Sequence, residues 1–156
     1  MLVAVIGESD CPPELFALAE RVGAELARRG ATVICGGLGG VMLAACKGAK
    51  AVGGTTVGIL PGTDPTEANP FVDIPIATGL GEARNVIVVR SARAVVAVGG
   101  AYGTLSEIAF ALKFGKPVIG LETWELFRRG EPDTGIIRVD DPETAAELAC
   151  SLAVAG

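Results

Sequence analysis

The stretch VGGAYGTLSEIAF (residues 98–110) decides how this chain is read. An apolar strand ends at Gly99-Gly100, Gly103-Thr104 follow, and a helix begins that carries Glu107. Thr104-x-x-Glu107 fits a capping box: the hydroxyl accepts from the first helical turn and the carboxylate returns to the cap's own N–H. The same residues fit a phosphate cradle. Glycines let main-chain N–H groups approach an anion, and a helix N-terminus adds positive potential. The two readings are compatible, because a carboxylate fixed at a helix start is also held rigid beside a bound group.

Outward from this stretch, strand and helix patterns alternate. LVAVIG (2–7), TVIC (32–35), TTVGIL (55–60), RAVVAVGG (93–100), KPVIGL (116–121) and GIIRV (135–139) read as strands. VDIPIATG (72–79) holds a further short strand, and its Pro75 places it near an edge. Helices are expected over 12–30, 40–52, 80–92, 104–115 and 141–155. In the first, Leu15, Leu18, Ala19, Val22 and Leu26 follow a helical stripe, with Pro12-Pro13 at the entry and Gly30 at the exit. Asp141 and Pro142 mark the start of the last. PGTDPTEANPF (61–71), with three prolines, is the expected flexible lid.

Strands apolar without alternation are buried on both faces, so the helices lie on both sides of a parallel sheet. The expected architecture is one α/β domain over residues 1–156. It is a doubly wound, Rossmann-like, mainly parallel sheet of about six or seven strands with helices on both faces.

Composition narrows the chemistry. Half the residues are apolar and aromatics are scarce, so the core is built from Ala, Val, Leu and Ile. There is no histidine, which excludes an imidazole base and a histidine metal site, and no metal is expected. The four cysteines form no CxxC pair and are expected as free thiols. With net charge −5 and no basic patch, nucleic-acid binding is not expected. Arg28-Arg29 and Arg128-Arg129 precede Gly30 and Gly130, as cations do at helix ends. MLVAVIGESD reads as a first strand, not a signal peptide, and no stretch is long enough to span a membrane. A cytoplasmic protein is expected.

In a doubly wound sheet, ligands sit at the carboxyl ends of the strands. Three glycine turns fall there: Gly7 with Glu8 and Ser9 behind it, GGLGG with Gly36, Gly37, Gly39 and Gly40, and Gly99-Gly100 with Tyr102, Gly103 and Thr104. None has the GxGxxG spacing or the Walker pattern, so a conventional dinucleotide or P-loop site is disfavoured. An anionic ligand, most simply a phosphate, follows. Arg84, beside Asn85, either is a solvated helix residue or reaches that phosphate or Glu107. Tyr102 either packs in the turn or stacks on a base.

GEARNVIVVRSARAVVAVGGAYGTLSE (81–107) resembles the nucleotide-binding family named for the Lonely guy protein. That family holds phosphoribohydrolases and chains long misnamed lysine decarboxylases. CGGLGGVMLAACKGA (35–49) and VGIL-PG (57–62) resemble its other turns, and the likeness spans roughly 3–121. By position, the resemblance makes Arg84 and Glu107 the catalytic pair. It makes Gly100, Gly103 and Thr104 the phosphate turn, and Gly36, Gly37, Gly40 and Met42 the first turn. This chain has Asn85 for the family's lysine, Gly99, Gly100 and Ala101 across its Pro-Gly-Gly, and Leu38 for a serine. ARN with GGAYGTLSE is closer to a sister branch that holds molybdenum-cofactor carrier proteins.

Two functions follow from the resemblance. One is cleavage of the N-glycosidic bond of a nucleoside 5′-monophosphate; the alternative is a carrier for a molybdopterin-type cofactor or nucleotide. Decarboxylation is rejected, since Lys47, Lys50, Lys113 and Lys116 all lie outside the strand-end turns. No cofactor is required in either reading. The expected partner is a phosphorylated small molecule, and a homodimer or higher homo-oligomer is implied.

Overall fold

The computed structural model describes residues 1–155. In chain order the elements are β1 (Leu2–Gly7), α1 (Pro13–Arg28), β2 (Thr32–Cys35), α2 (Gly40–Ala51), β3 (Thr56–Leu60) and β4 (Ile74–Ala77). Then come α3 (Asn85–Ser91), β5 (Ala94–Val98), α4 (Tyr102–Lys113), β6 (Val118–Leu121), β7 (Leu126–Arg128), β8 (Glu131–Asp133), β9 (Ile136–Arg138) and α5 (Pro142–Ala155). Seven strands form one sheet in the order β4-β3-β2-β1-β5-β6-β9, and every pair in it is parallel. The expected doubly wound α/β architecture is the observed one.

The strand order explains where a ligand can enter. The chain winds outward from β1 to β4, then restarts on the other side of β1 with β5. Crossovers therefore leave β1 and β5 in opposite directions, and a crevice opens between their carboxyl ends. Each strand contributes to two cores. Val3 and Val5 of β1 pack with α1, α2 and α5, while Ala4 and Ile6 pack with α3 and α4. Alternate side chains of one strand face opposite ways, so a strand buried on both sides must be apolar throughout. The small residues of α2 have a similar cause. A Cβ on Gly48 would lie 1.8 Å from Glu20 O, and one on Gly23 would lie 1.9 Å from Ala45 O, so α1 and α2 touch backbone to backbone.

Four expectations are corrected. The helix expected over 80–92 is a 3₁₀ turn (Gly81–Arg84) followed by α3, because Gly79 and Gly81 hold φ of +66° and +56°, outside helical conformation. The helix expected from 104 starts at Tyr102, and Ala101 is its N-cap. The loop at 61–71 is tied down: Asn69 donates from its backbone N to Gly37 O (2.9 Å) and from Nδ2 to Leu38 O (2.9 Å). Finally, Arg128-Arg129 ends no helix. It lies in the antiparallel β7–β8 hairpin, whose turn residues Arg129 and Gly130 both have positive φ (56° and 85°). That is the backbone of a tight two-residue hairpin turn.

The edge placement of β4 and the Asp141 cap agree with expectation: Asp141 Oδ1 accepts from Thr144 N at 2.8 Å. All four cysteines are free thiols. No described helix is long and apolar enough to cross a membrane.

Candidate functional site

A cleft of about 820 Å³ opens at the switch point. Its volume lies within the range of small-molecule sites. From β1 and the loop beyond it come Gly7, Glu8 and Ser9; from the second turn and α2 come Gly36 and Met42. The 3₁₀ turn and α3 supply Arg84 and Asn85, and α4 supplies Tyr102, Gly103, Thr104 and Glu107. Arg84 and Glu107, far apart in sequence, face one space.

Gly37, Gly39, Gly40, Gly99 and Gly100 lie outside this wall. Their work is to bring the turns together. Gly40 holds φ +57°, and a Cβ there would lie 2.2 Å from Glu8 O. Val41 N donates to that same oxygen at 3.0 Å, docking the start of α2 on the β1 loop. The Gly99 N–H donates to Leu121 O and the Gly100 N–H to Glu8 Oε1, both at 3.0 Å. These two amides, expected to face a ligand, are used inside the protein. The open part of the cradle begins one residue later.

There the main chain is uncapped. Ala101 is extended (φ −99°, ψ −161°), and no side chain caps α4. A helix without a cap leaves its first N–H groups unpaired, which here belong to Tyr102, Gly103 and Thr104. The capping box expected of Thr104 and Glu107 is absent: Thr104 is the third helical residue, and Glu107 falls in the second turn. Buried Thr104 is instead the residue a Cβ on Gly100 would strike, 2.5 Å from its Cγ2.

A hydrogen-bonded chain fixes the cleft's cation. Arg84 Nη1 donates to Asn85 Oδ1. Asn85 Nδ2 donates to Ser106 Oγ at 3.2 Å, and Ser106 Oγ donates to Gly103 O at 2.6 Å. The guanidinium lies against Gly36, whose Cβ would be 2.6 Å from Nη2. Its Nε is buried without a partner, the one such side-chain atom among the described residues. A buried donor left unpaired is costly and calls for an acceptor. Arg84 is the only basic residue on the cleft wall among the described residues, where Glu8, Asp10, Glu82 and Glu107 supply carboxylates.

Glu107 is 6% exposed. Burial penalises its charged form and pushes its carboxyl up to about 8, a rise that the positive charge of Arg84 only partly opposes. None of the ion pairs among the described residues includes either Glu107 or Arg84. Burial thus favours the neutral form of Glu107, in which the carboxyl can donate a hydrogen bond.

Sequence reasoning missed Ser106, Asp10, Leu38, Pro61, Glu82 and Phe110 on this wall. Ser106 had one available signal, its place beside Glu107 in the first turns of α4. The others lie on loops or helix faces that only the tertiary arrangement brings together.

The sequence pattern of the SLOG cluster4 family matches residues 1–146. An uncharacterized protein of Archaeoglobus fulgidus is 52% identical over 122 residues, which are 78% of this chain and 80% of that protein. Among solved structures, the molybdenum cofactor binding protein of the phototrophic bacterium Rippkaea orientalis is similar with TM-score 0.87 and 36% identity, over 97% of this chain and 96% of that one. The molybdenum cofactor carrier protein of Chlamydomonas reinhardtii is similar with TM-score 0.82 and 34% identity, over 99% and 98% of the two chains. These similarities agree with the resemblance carried by residues 81–107, on its carrier side. The chain belongs to the SLOG cluster4 family.

Proposed function

We propose that this protein is a carrier that holds a phosphorylated, molybdopterin-type ligand in the β1–β5 cleft without transforming it. The phosphate sits on the uncapped N–H groups of Tyr102, Gly103 and Thr104, where the helix dipole adds to the attraction. Arg84 supplies the counter-charge and its unpaired Nε–H the additional donor.

One observation carries this reading. Gly103 is the second residue of α4, where glycine weakens a helix by roughly 0.5–1 kcal/mol relative to alanine. Its φ is not positive, and a Cβ there would meet nothing within 4 Å. Neither folding nor packing needs glycine at this position. A ligand that must approach the backbone closely does.

The likeness to molybdenum cofactor carriers supports the molybdopterin class. Carriage is favoured over N-glycosidic hydrolysis by Glu107. An oxocarbenium-like transition state is stabilised by an ionised carboxylate, and burial disfavours the ionised form of this one. Two measurements test the proposal. The protein is purified from cells that make the molybdenum cofactor and oxidised, and its small molecules are chromatographed. A fluorescent phosphorylated pterin in near-stoichiometric amount is expected. Release of free base from added nucleoside monophosphates, or purification without any pterin, would overturn it.

A further inference from the structure

The chain has one tryptophan, one tyrosine and five phenylalanines. None of them is a fully buried core residue. The tryptophan and the tyrosine nevertheless stand together where Tyr102 lines the cleft: the rings of Tyr102 and Trp124 are 5.7 Å apart between centroids and inclined by 37°.

Tyr102 is 80% exposed, although it is the first residue of α4 and lines the cleft. Trp124 is half-buried against the core on the α3–α4 side. Its Nε1–H donates to Ala101 O at 3.3 Å, the residue that caps α4. One ring is thus anchored in the fold and tied to the phosphate cradle, and the other leans on it with its outer surface open. Helical side chains tilt toward the helix N-terminus, so Tyr102 projects past the first turn, where the rest of a ligand seated by its phosphate must lie. The outer face of Tyr102 is thus free to take a planar group against an already positioned aromatic partner.

We propose that Tyr102, backed by Trp124, is a stacking platform for the planar nitrogen heterocycle of the ligand. The proposal rests on the phosphate reading above and names the part of the ligand that reading leaves open. Glu8, Asp10 and Glu82 on the same wall are acceptors for the N–H and amino groups of such a ring. A 2-amino-4-oxo pyrimidine edge, shared by guanine and pterins, fits them.

The test compares guanosine 5′-monophosphate with ribose 5-phosphate, which carries the phosphate and no ring, by titration calorimetry. Trp124, the only tryptophan, reports in parallel by its fluorescence. Guanosine 5′-monophosphate is expected to bind the wild type ~10-fold or more tighter than ribose 5-phosphate and to quench the emission, which ribose 5-phosphate leaves unchanged. Tyr102→Ala, which keeps the main-chain N–H, should bring the ratio of the two affinities within that variant close to one, and Tyr102→Phe should keep the wild-type ratio. Equal affinities in the wild type, or a ratio unchanged by Tyr102→Ala, would overturn the platform while leaving the phosphate site intact. Binding of neither compound to the wild type would overturn the phosphate reading and the platform with it.

Discussion

The Arg84 guanidinium donates to the side-chain oxygen of Asn85, and no ion pair joins it to Glu107 on the same cleft wall. The partner is an amide, so the arginine keeps its full charge for a ligand. Ser106 and the Gly103 carbonyl complete the chain, which ties the guanidinium to the first turn of α4. Cation and helix N-terminus are thereby held as one unit.

Asn85→Asp tests this arrangement. A carboxylate in place of the amide would pair with Arg84 and compete with the ligand's phosphate. Charge-assisted hydrogen bonds are worth about 1.5–3 kcal/mol, so ribose 5-phosphate affinity should fall roughly 10- to 100-fold. Titration calorimetry reads the loss, and circular dichroism checks that the fold survives. Unchanged affinity would show that Arg84 does not meet the phosphate.

Glu107 makes stability depend on pH. Its folded-state value, about 8, lies above its ordinary 4.5, so the folded state binds a proton that the unfolded state has released. Stability from this group is full below pH 4.5 and is lost progressively as pH rises to about 8, to a total of roughly 5 kcal/mol. Glu107→Gln removes the titration. In urea unfolding at a series of pH values, the variant should gain on the wild type steadily between pH 5 and 8. A constant difference across that range would contradict the buried, neutral carboxyl.

Gly36→Ala and Gly40→Ala should fail in different ways. A methyl at Gly36 meets Arg84 Nη2 at 2.6 Å and Met42 Sδ at 2.7 Å, the far ends of flexible side chains. The fold should persist, and ribose 5-phosphate affinity should drop ~10-fold as Arg84 is pushed aside. At Gly40 the obstacle is backbone, Glu8 O at 2.2 Å, and φ is +57°. That variant should lose more than ~2 kcal/mol of stability in urea unfolding. The reverse pattern would contradict the division between wall and scaffold.

Much of this was legible in the sequence. Uninterrupted apolar runs such as AVVAV report burial on both faces, and hence the parallel sheet. Arg84 and Glu107 were legible as members of one motif. The cap of α4 was not: Thr104-x-x-Glu107 has capping-box spacing, yet β5 ends at Val98, Gly99 and Gly100 turn the chain with positive φ, and an extended Ala101 starts the helix earlier, at Tyr102. The direction of the Gly99 and Gly100 amides depends on Leu121 and Glu8, partners far away in the chain. The β7–β8 hairpin escaped because strands of three residues, one holding Pro132, show no period.

Gly103→Ala is the most direct test of the phosphate site. With free space around it and no positive φ, alanine there should leave folding unchanged or raise stability by roughly 0.5–1 kcal/mol. Ribose 5-phosphate titrated into the folded variant should bind at least ~10-fold more weakly than to the wild type, because the methyl occupies the space the phosphate needs. Wild-type affinity in that variant would contradict the account.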